Sequence, residues 1–126
     1  MSKRVVHTSA RSLERCRKLG LLAGKVERWV PMPSHPGGGK RMDFLGVFDI
    51  IAFTDPLATD ERYCVAIQSC AMSGRAAHLA KMNESHAVIS AWNSVPGHRA
   101  ELWSWRKLKV KRGGKAVRWE CEVTTL

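Results

Sequence analysis

Acidic residues are scarce in this chain: 11 Asp and Glu stand against 21 Lys and Arg, a net charge of +10 over 126 residues. A surplus of that size favours a polyanionic partner, nucleic acid before an anionic membrane. Other absences narrow the class further. The four cysteines (Cys16, Cys64, Cys70, Cys121) form no CxxC pair, and no histidine stands at zinc-finger spacing from them, which argues against a structural zinc. Residues 1–10 are basic and polar without an apolar leader segment. No apolar run approaches the ~20 residues of a membrane span. A cytoplasmic protein with reduced thiols and no membrane contact is therefore expected. Internal repeats and linker-like shifts in composition are also missing, and the length suits one domain over 1–126 with a single core.

The positive charge is unevenly placed. Residues 1–41 carry ten Lys/Arg and two acids, 42–100 carry four and six, and 101–126 carry seven and three. An acidic middle between basic ends suits a cation site flanked by phosphate-gripping residues, whereas chance clustering of solvated charges is the plainer explanation.

Ser9 reads as an N-cap, with Leu13, Cys16 and Leu19 on one helical face, Arg11, Arg15 and Lys18 on the opposite face, and Gly20 as the stop. Arg11 and Arg15 are thus expected to point outward, replaceable without disturbing the fold. Residues 25–30 read as a first strand and 33–40 (PSHPGGGK) as a loop. Residues 44–53 (FLGVFDIIAF) and 63–70 (YCVAIQSC) have the apolar, branched pattern of central strands covered on both faces. A helical stretch follows from Ser73, open to a break at 83–85, and ends at Pro96-Gly97. Residues 100–110 and 116–123, joined by a basic Gly-Gly turn, predict a hairpin. The helix between the third and fourth strands permits a parallel crossover, so the class is α/β with a mixed sheet.

One carboxylate and one amide interrupt the two central strands. Burying Asp49 is costly unless a cation or hydrogen bonds compensate it. If Phe53 pairs with Cys64, Asp49 falls opposite Gln68, where directly opposed Cβ atoms stand ~4.5–5.5 Å apart. Cys70 shares the face of Gln68 by strand parity. Asp43 would lie about 20 Å from Asp49 along a straight strand at ~3.3 Å per residue, and joins it only if Gly46 bends the chain. Glu27 is either a ligand or a surface charge, and Glu14 pairs with Lys18 on a helix surface or lies near the site.

The segments VERW (26–29), DxxGxxDIIA (43–52), AIQ (66–68) and WxWRK (103–107) resemble those of the PD-(D/E)XK nuclease superfamily, in particular small phage and archaeal Holliday-junction-resolvase-like proteins. The resemblance spans roughly residues 13–122. It implies a restriction-endonuclease-like αβββαβ core with a mixed central sheet flanked by helices. It also implies Mg2+ (or Mn2+) as cofactor, branched DNA as substrate and a two-fold homodimer that makes paired cuts. Asp49 takes the place of the metal-binding Asp, Gln68 that of the Glu of ExK, and Cys70 that of its Lys. A neutral Gln holds a hard cation more weakly, and a thiol cannot offset phosphate charge. Some members move the Lys to the following helix, which nominates Lys81 and then Arg75. The metal set is therefore Asp49 and Gln68, with Glu27 and Asp43 as further ligands.

Arg11, Arg15, Lys18, Lys40, Arg41, Arg75, Arg106, Lys107, Lys109, Lys111, Arg112 and Lys115 are the candidate phosphate contacts. Trp103 and Trp105 share a strand face and either stack on unpaired bases or pack against the helices. Three activities compete: a metal-dependent endonuclease, a DNA-binding protein that kept the fold after losing catalysis, and a phage module that meets an acidic protein. For the first two, binding is expected to tolerate sequence and to weaken on the order of 10³-fold between about 50 and 200 mM salt, because backbone contacts release counterions. Filter binding across that range checks it, and an unchanged affinity removes nucleic acid as the reason for the charge.

Overall fold

A computed structural model describes residues 7–126. Helix α1 (Thr8–Lys18) leads into β1 (Leu21–Lys25), a hairpin of β2 (Arg28–Pro31) and β3 (Gly39–Met42), and then β4 (Ile50–Thr54) and β5 (Cys64–Ala71). A single 3-10 turn precedes α2 (Arg75–Glu84) and α3 (His86–Asn93), and the long strands β6 (His98–Lys109) and β7 (Val117–Thr125) follow. The five-stranded sheet has the order β1-β4-β5-β6-β7, and β2-β3 form a separate two-stranded sheet. All neighbours in the large sheet are antiparallel except β5 and β6, which run parallel across the α2–α3 connection. The architecture is α/β, with a mixed sheet flanked by helices.

Each sheet face has its own core. Cys16 of α1 buries against Leu21, Ile50, Val65, Ile67 and Trp103 on one side. Met82 and Ile89 of α2 and α3 bury against Phe48, Ala66, Cys70 and Leu102 on the other. Being covered on both faces is what the largely apolar run of β5, broken only by Gln68 and Ser69, requires.

Several boundaries differ from expectation. His7 rather than Ser9 precedes α1, and Ser9 is buried within its first turn. The helix begins earlier because its sheet-facing stripe is built from the short side chains of Ser9, Ser12 and Cys16. Leu19 follows the helix and is exposed, whereas Gly20 ends the helix as expected, with a φ of 76° that favours glycine. Arg11 and Arg15 do not point outward. Their guanidinium groups lie 3.7 Å from the ring centre of Trp119 and 4.4 Å from that of Trp103, between helix and sheet.

The expected strand at 25–30 is two strands in different sheets. Gly39 and Lys40, expected in a loop, belong to β3, and the Trp29 ring occupies the space that a Cβ at Gly39 would need. The apolar run at 44–53 is a strand only from Ile50, because Phe44–Phe48 close on themselves. Trp103 and Trp105 are buried, so the packing alternative holds and base stacking by them is excluded.

Ser12 fastens α1 to the sheet. Its buried hydroxyl accepts hydrogen bonds from Ser69 Oγ on β5 and from Trp105 Nε1 on β6, the latter at 2.9 Å. Ser12→Ala leaves two buried donors unpaired and is expected to cost about 1–3 kcal/mol. Adding Trp105→Phe should cost less than the sum of the single changes. Urea denaturation of the four proteins measures the coupling, and strict additivity would mean that the hydroxyl is not the shared acceptor.

Candidate functional site

The β4–β5 register pairs Phe53 with Cys64 and Ile50 with Ile67. Asp49 leaves that ladder: its N–H donates at 3.0 Å to the carbonyl of Ile67, the residue Ile50 already pairs with. Asp49 thus stands as an extra residue opposite Ile67, and the expected pairing does not extend to Gln68. The carboxylate is buried at the end of the sheet. There the Ser69 backbone N–H donates to both of its oxygens, at 3.2 and 3.3 Å.

Asp43 reaches this point through a tight turn. Phe44 and Phe48 exchange backbone hydrogen bonds, while Leu45 and Gly46 take φ values of 56° and 74°. A positive φ is costly for leucine and easy for glycine. The turn is anchored by Phe44 and Phe48, which pack edge-on and tilted against Trp92 of α3 at 6.5 and 6.1 Å between ring centres. Gln68 meets one of the two acids, Asp43, directly. With its amide turned toward the available acceptors, Nε2 donates to Asp43 Oδ2 at 3.3 Å and to the Val47 carbonyl.

Glu27, between β1 and β2, is the third carboxylate. Its side chain is mostly buried and lies 3.9 Å from Lys25 and 3.8 Å from Arg41. Burial pushes Asp49 up to about 7; Asp43 and Glu27 add to the rise, against the Ser69 N–H. Asp43 is also raised, first by burial, while Lys81 pulls it down, Glu27 pushes it up and His78 pulls it down. Lys81 and His78, three apart on α2, share a crevice with Gly46, Val47 and Gln68. The structure therefore brings together Asp49, Gln68, Asp43 and Lys81, with Glu27 close enough to act on both aspartates.

His78 is the residue that sequence reasoning missed. The only available signal was its i, i+3 spacing from Lys81 on one helix face. Cys70 lies on the Gln68 side of the sheet but is buried, its thiol 3.5 Å from Ser104 Oγ and raised in pKa chiefly by burial. Arg75 turns away from the carboxylates, to Thr124 Oγ1 at 3.1 Å and Glu122 at 3.6 Å.

The donors fit a hard divalent cation. Two carboxylates whose pKa values are raised by burial, an amide and a main-chain carbonyl converge here, and a cation would find oxygen where Gln68 now places its nitrogen. Among the described residues no three His, Cys, Asp or Glu side chains stand together as a ligand cluster. Mg2+ commonly keeps several waters and uses one or two carboxylates.

The basic residues divide among three regions. Arg11, Arg15 and Lys18 line a cavity of about 580 Å³ with Trp105, Trp119 and Glu120. Arg106 pairs with Glu120, whereas Lys107, Lys111 and Arg112 are exposed at the far end of the β6–β7 hairpin. Lys40 and Arg41 are exposed on β3. Comparison with protein-family models, curated proteins and solved structures gives no match.

Asp49 makes the metal-free fold sensitive to pH. Between the ordinary 3.8 and the folded value of about 7 the native state holds the extra proton, so this group's contribution to stability falls as pH rises. Asp49→Asn, neutral throughout, should be more stable than the parent near pH 8 by a few kcal/mol, with the gap narrowing by about pH 5 and closing near the ordinary 3.8. Thermal melts in EDTA test this, and a gap of equal size at both pH values would refute the buried carboxylate.

Proposed function

We propose that this protein is a divalent-metal-dependent endodeoxyribonuclease of PD-(D/E)XK type, its lysine supplied from the helix after β5. The observation that carries the reading is the meeting of Asp43, Asp49 and Gln68 at one sheet end, with Lys81 acting on Asp43 from α2. The chain order supports it as well: a helix, three antiparallel sheet strands with a hairpin inserted after the first, two helices, and a strand parallel to β5.

Asp49 and Asp43, with the Gln68 amide oxygen, would hold Mg2+ or Mn2+, which when bound supplies Lewis acidity to a phosphodiester and to the attacking water. Ser69 orients Asp49 through its N–H, and Ser12 holds Ser69 from the other face. Glu27 keeps the local field negative enough to favour a cation. Lys81, exposed at the crevice mouth, offsets charge that develops on the phosphate oxygens. His78 lies within the same crevice as a proton carrier for the departing oxygen. Branched DNA and a two-fold dimer with one site per subunit belong to this proposal through the sequence resemblance.

A second reading, a DNA-binding protein without catalysis, is favoured by one observation: Gln68 satisfies Asp43 and Val47 by hydrogen bonding without any cation.

Cleavage of labelled four-way, duplex and single-stranded DNA with Mg2+ or Mn2+ separates the two. Asp49→Ala is expected to abolish cleavage and Cys70→Ala to leave it intact. Lys81→Ala should slow cleavage by about 100-fold while changing DNA affinity little. Gln68→Glu, which adds a fourth carboxylate to the site, should tighten metal binding and make the fold more dependent on metal. No cleavage of any DNA alongside tight binding selects the non-catalytic protein.

A further inference from the structure

The β6–β7 hairpin outgrows the sheet. Pairing of β5 with β6 stops at Ala71 opposite Trp105, but β6 and β7 stay paired to Lys109 opposite Val117. Residues 106–118 therefore form a two-stranded arm that rises roughly 15 Å at ~3.3 Å per residue. No core holds it: Val110 is 61% exposed. It carries Arg106, Lys107, Lys109, Lys111, Arg112, Lys115 and Arg118, and no acid. Glu120 at its base engages Arg106 and Arg118. The other five cations have no carboxylate within ion-pair distance among the described residues. Such mutual repulsion does nothing for the fold, and an anionic partner would relieve it.

The arm leaves the same sheet end that holds the carboxylates, because β5 runs toward that end and β4 starts there. Strands ~4.8 Å apart put β6 about 5 Å from the strand of Gln68 and about 10 Å from that of Asp49. Two strands with their side chains span about 10 Å, which suits a major groove ~12 Å wide and exceeds a minor groove ~6 Å wide. Trp103 and Trp105 are buried, and Arg11 covers one face of Trp119 at 3.7 Å, so the partly exposed Trp119 is the one indole of the hairpin that a single strand could reach.

We propose that the 106–118 arm lies in the major groove of duplex DNA beside the phosphodiester presented to Asp49 and Gln68. The inference rests on the nuclease reading only for where the cut falls. It names duplex flanking the cut as the substrate element, with the Lys111–Arg112–Lys115 tip as the part that enters deepest.

Dimethyl sulfate methylation of a labelled 30-base-pair duplex tests it in EDTA, since guanine N7 reports the major groove and adenine N3 the minor. The full chain is expected to protect a short run of guanine N7 positions. The triple variant Lys111→Ser/Arg112→Ser/Lys115→Ser should lose that protection at an unchanged melting temperature, with the slope of log K against log salt reduced by about 3. Asp49→Asn should keep the protection. Protection of adenine N3 alone, no protection by the full chain, an unaltered footprint in the tip variant, or tighter binding to single strands or anionic vesicles than to duplex would each overturn the arm's role. A footprint without cleavage under any metal leaves the arm standing and removes the nuclease reading. Cleavage that the tip variant performs equally well, without N7 protection, does the reverse.

Discussion

A carboxylate buried at the end of a hydrophobic sheet is the constraint around which the molecule is organised. Asp49 sits where β4 begins and meets one donor, the Ser69 N–H, while Asp43 and Glu27 raise the cost of its charge. A solvated carboxylate would have no comparable need of partners. Buried, it gives purpose to the turn that returns Asp43, to the amide of Gln68 and to the two basic side chains on α2. The arrangement is more stable with Asp49 protonated than charged, so one buried charge couples fold and pH.

Support for that site comes through the sheet as well as beside it. Ser69 faces both ways: its backbone holds Asp49, and its hydroxyl donates to Ser12 of α1 on the opposite face. Trp105 donates to the same Ser12 oxygen. On the α2–α3 side, Trp92 stacks on His98 at 4.0 Å, donates to the Arg99 carbonyl and packs against both phenylalanines of the 43–48 turn. Elements from both ends of the chain thus fix the positions of two aspartates only six residues apart. The basic arm follows another logic: beyond Arg106 and Arg118, which Glu120 engages, its five other cations have no ion-pair partner among the described residues and project from the sheet.

Much of the site was legible in the sequence because strand pairing has a period of two and the apolar runs have clear ends. The register of β4 against β5 follows from matching those ends, and the structure keeps it from Phe53–Cys64 to Ile50–Ile67, one residue short of Asp49. The condition for bringing in Asp43, a bend at Gly46, could be stated but not decided. Local pattern supports a continuous strand from Phe44 as readily as a turn, and aromatic packing against Trp92, 48 residues farther along, selects the turn. The outward placing of Arg11 and Arg15 failed for the opposite reason. Helical periodicity identifies a polar face but not what packs beneath it, and two tryptophans from distant strands accept the guanidinium groups.

The sequence alone determined the α/β class, the parallel crossover after β5, the excess of positive charge and the register of β4 against β5. Each rests on composition or on short-range periodicity. The tertiary structure decided that Glu27, Asp43, Lys81 and His78 share one neighbourhood, that the tryptophans of β6 are core, and that the last hairpin stands clear of the sheet. Those outcomes depend on contacts between residues far apart in the chain, whose free energies come from burial and electrostatics rather than from any local preference.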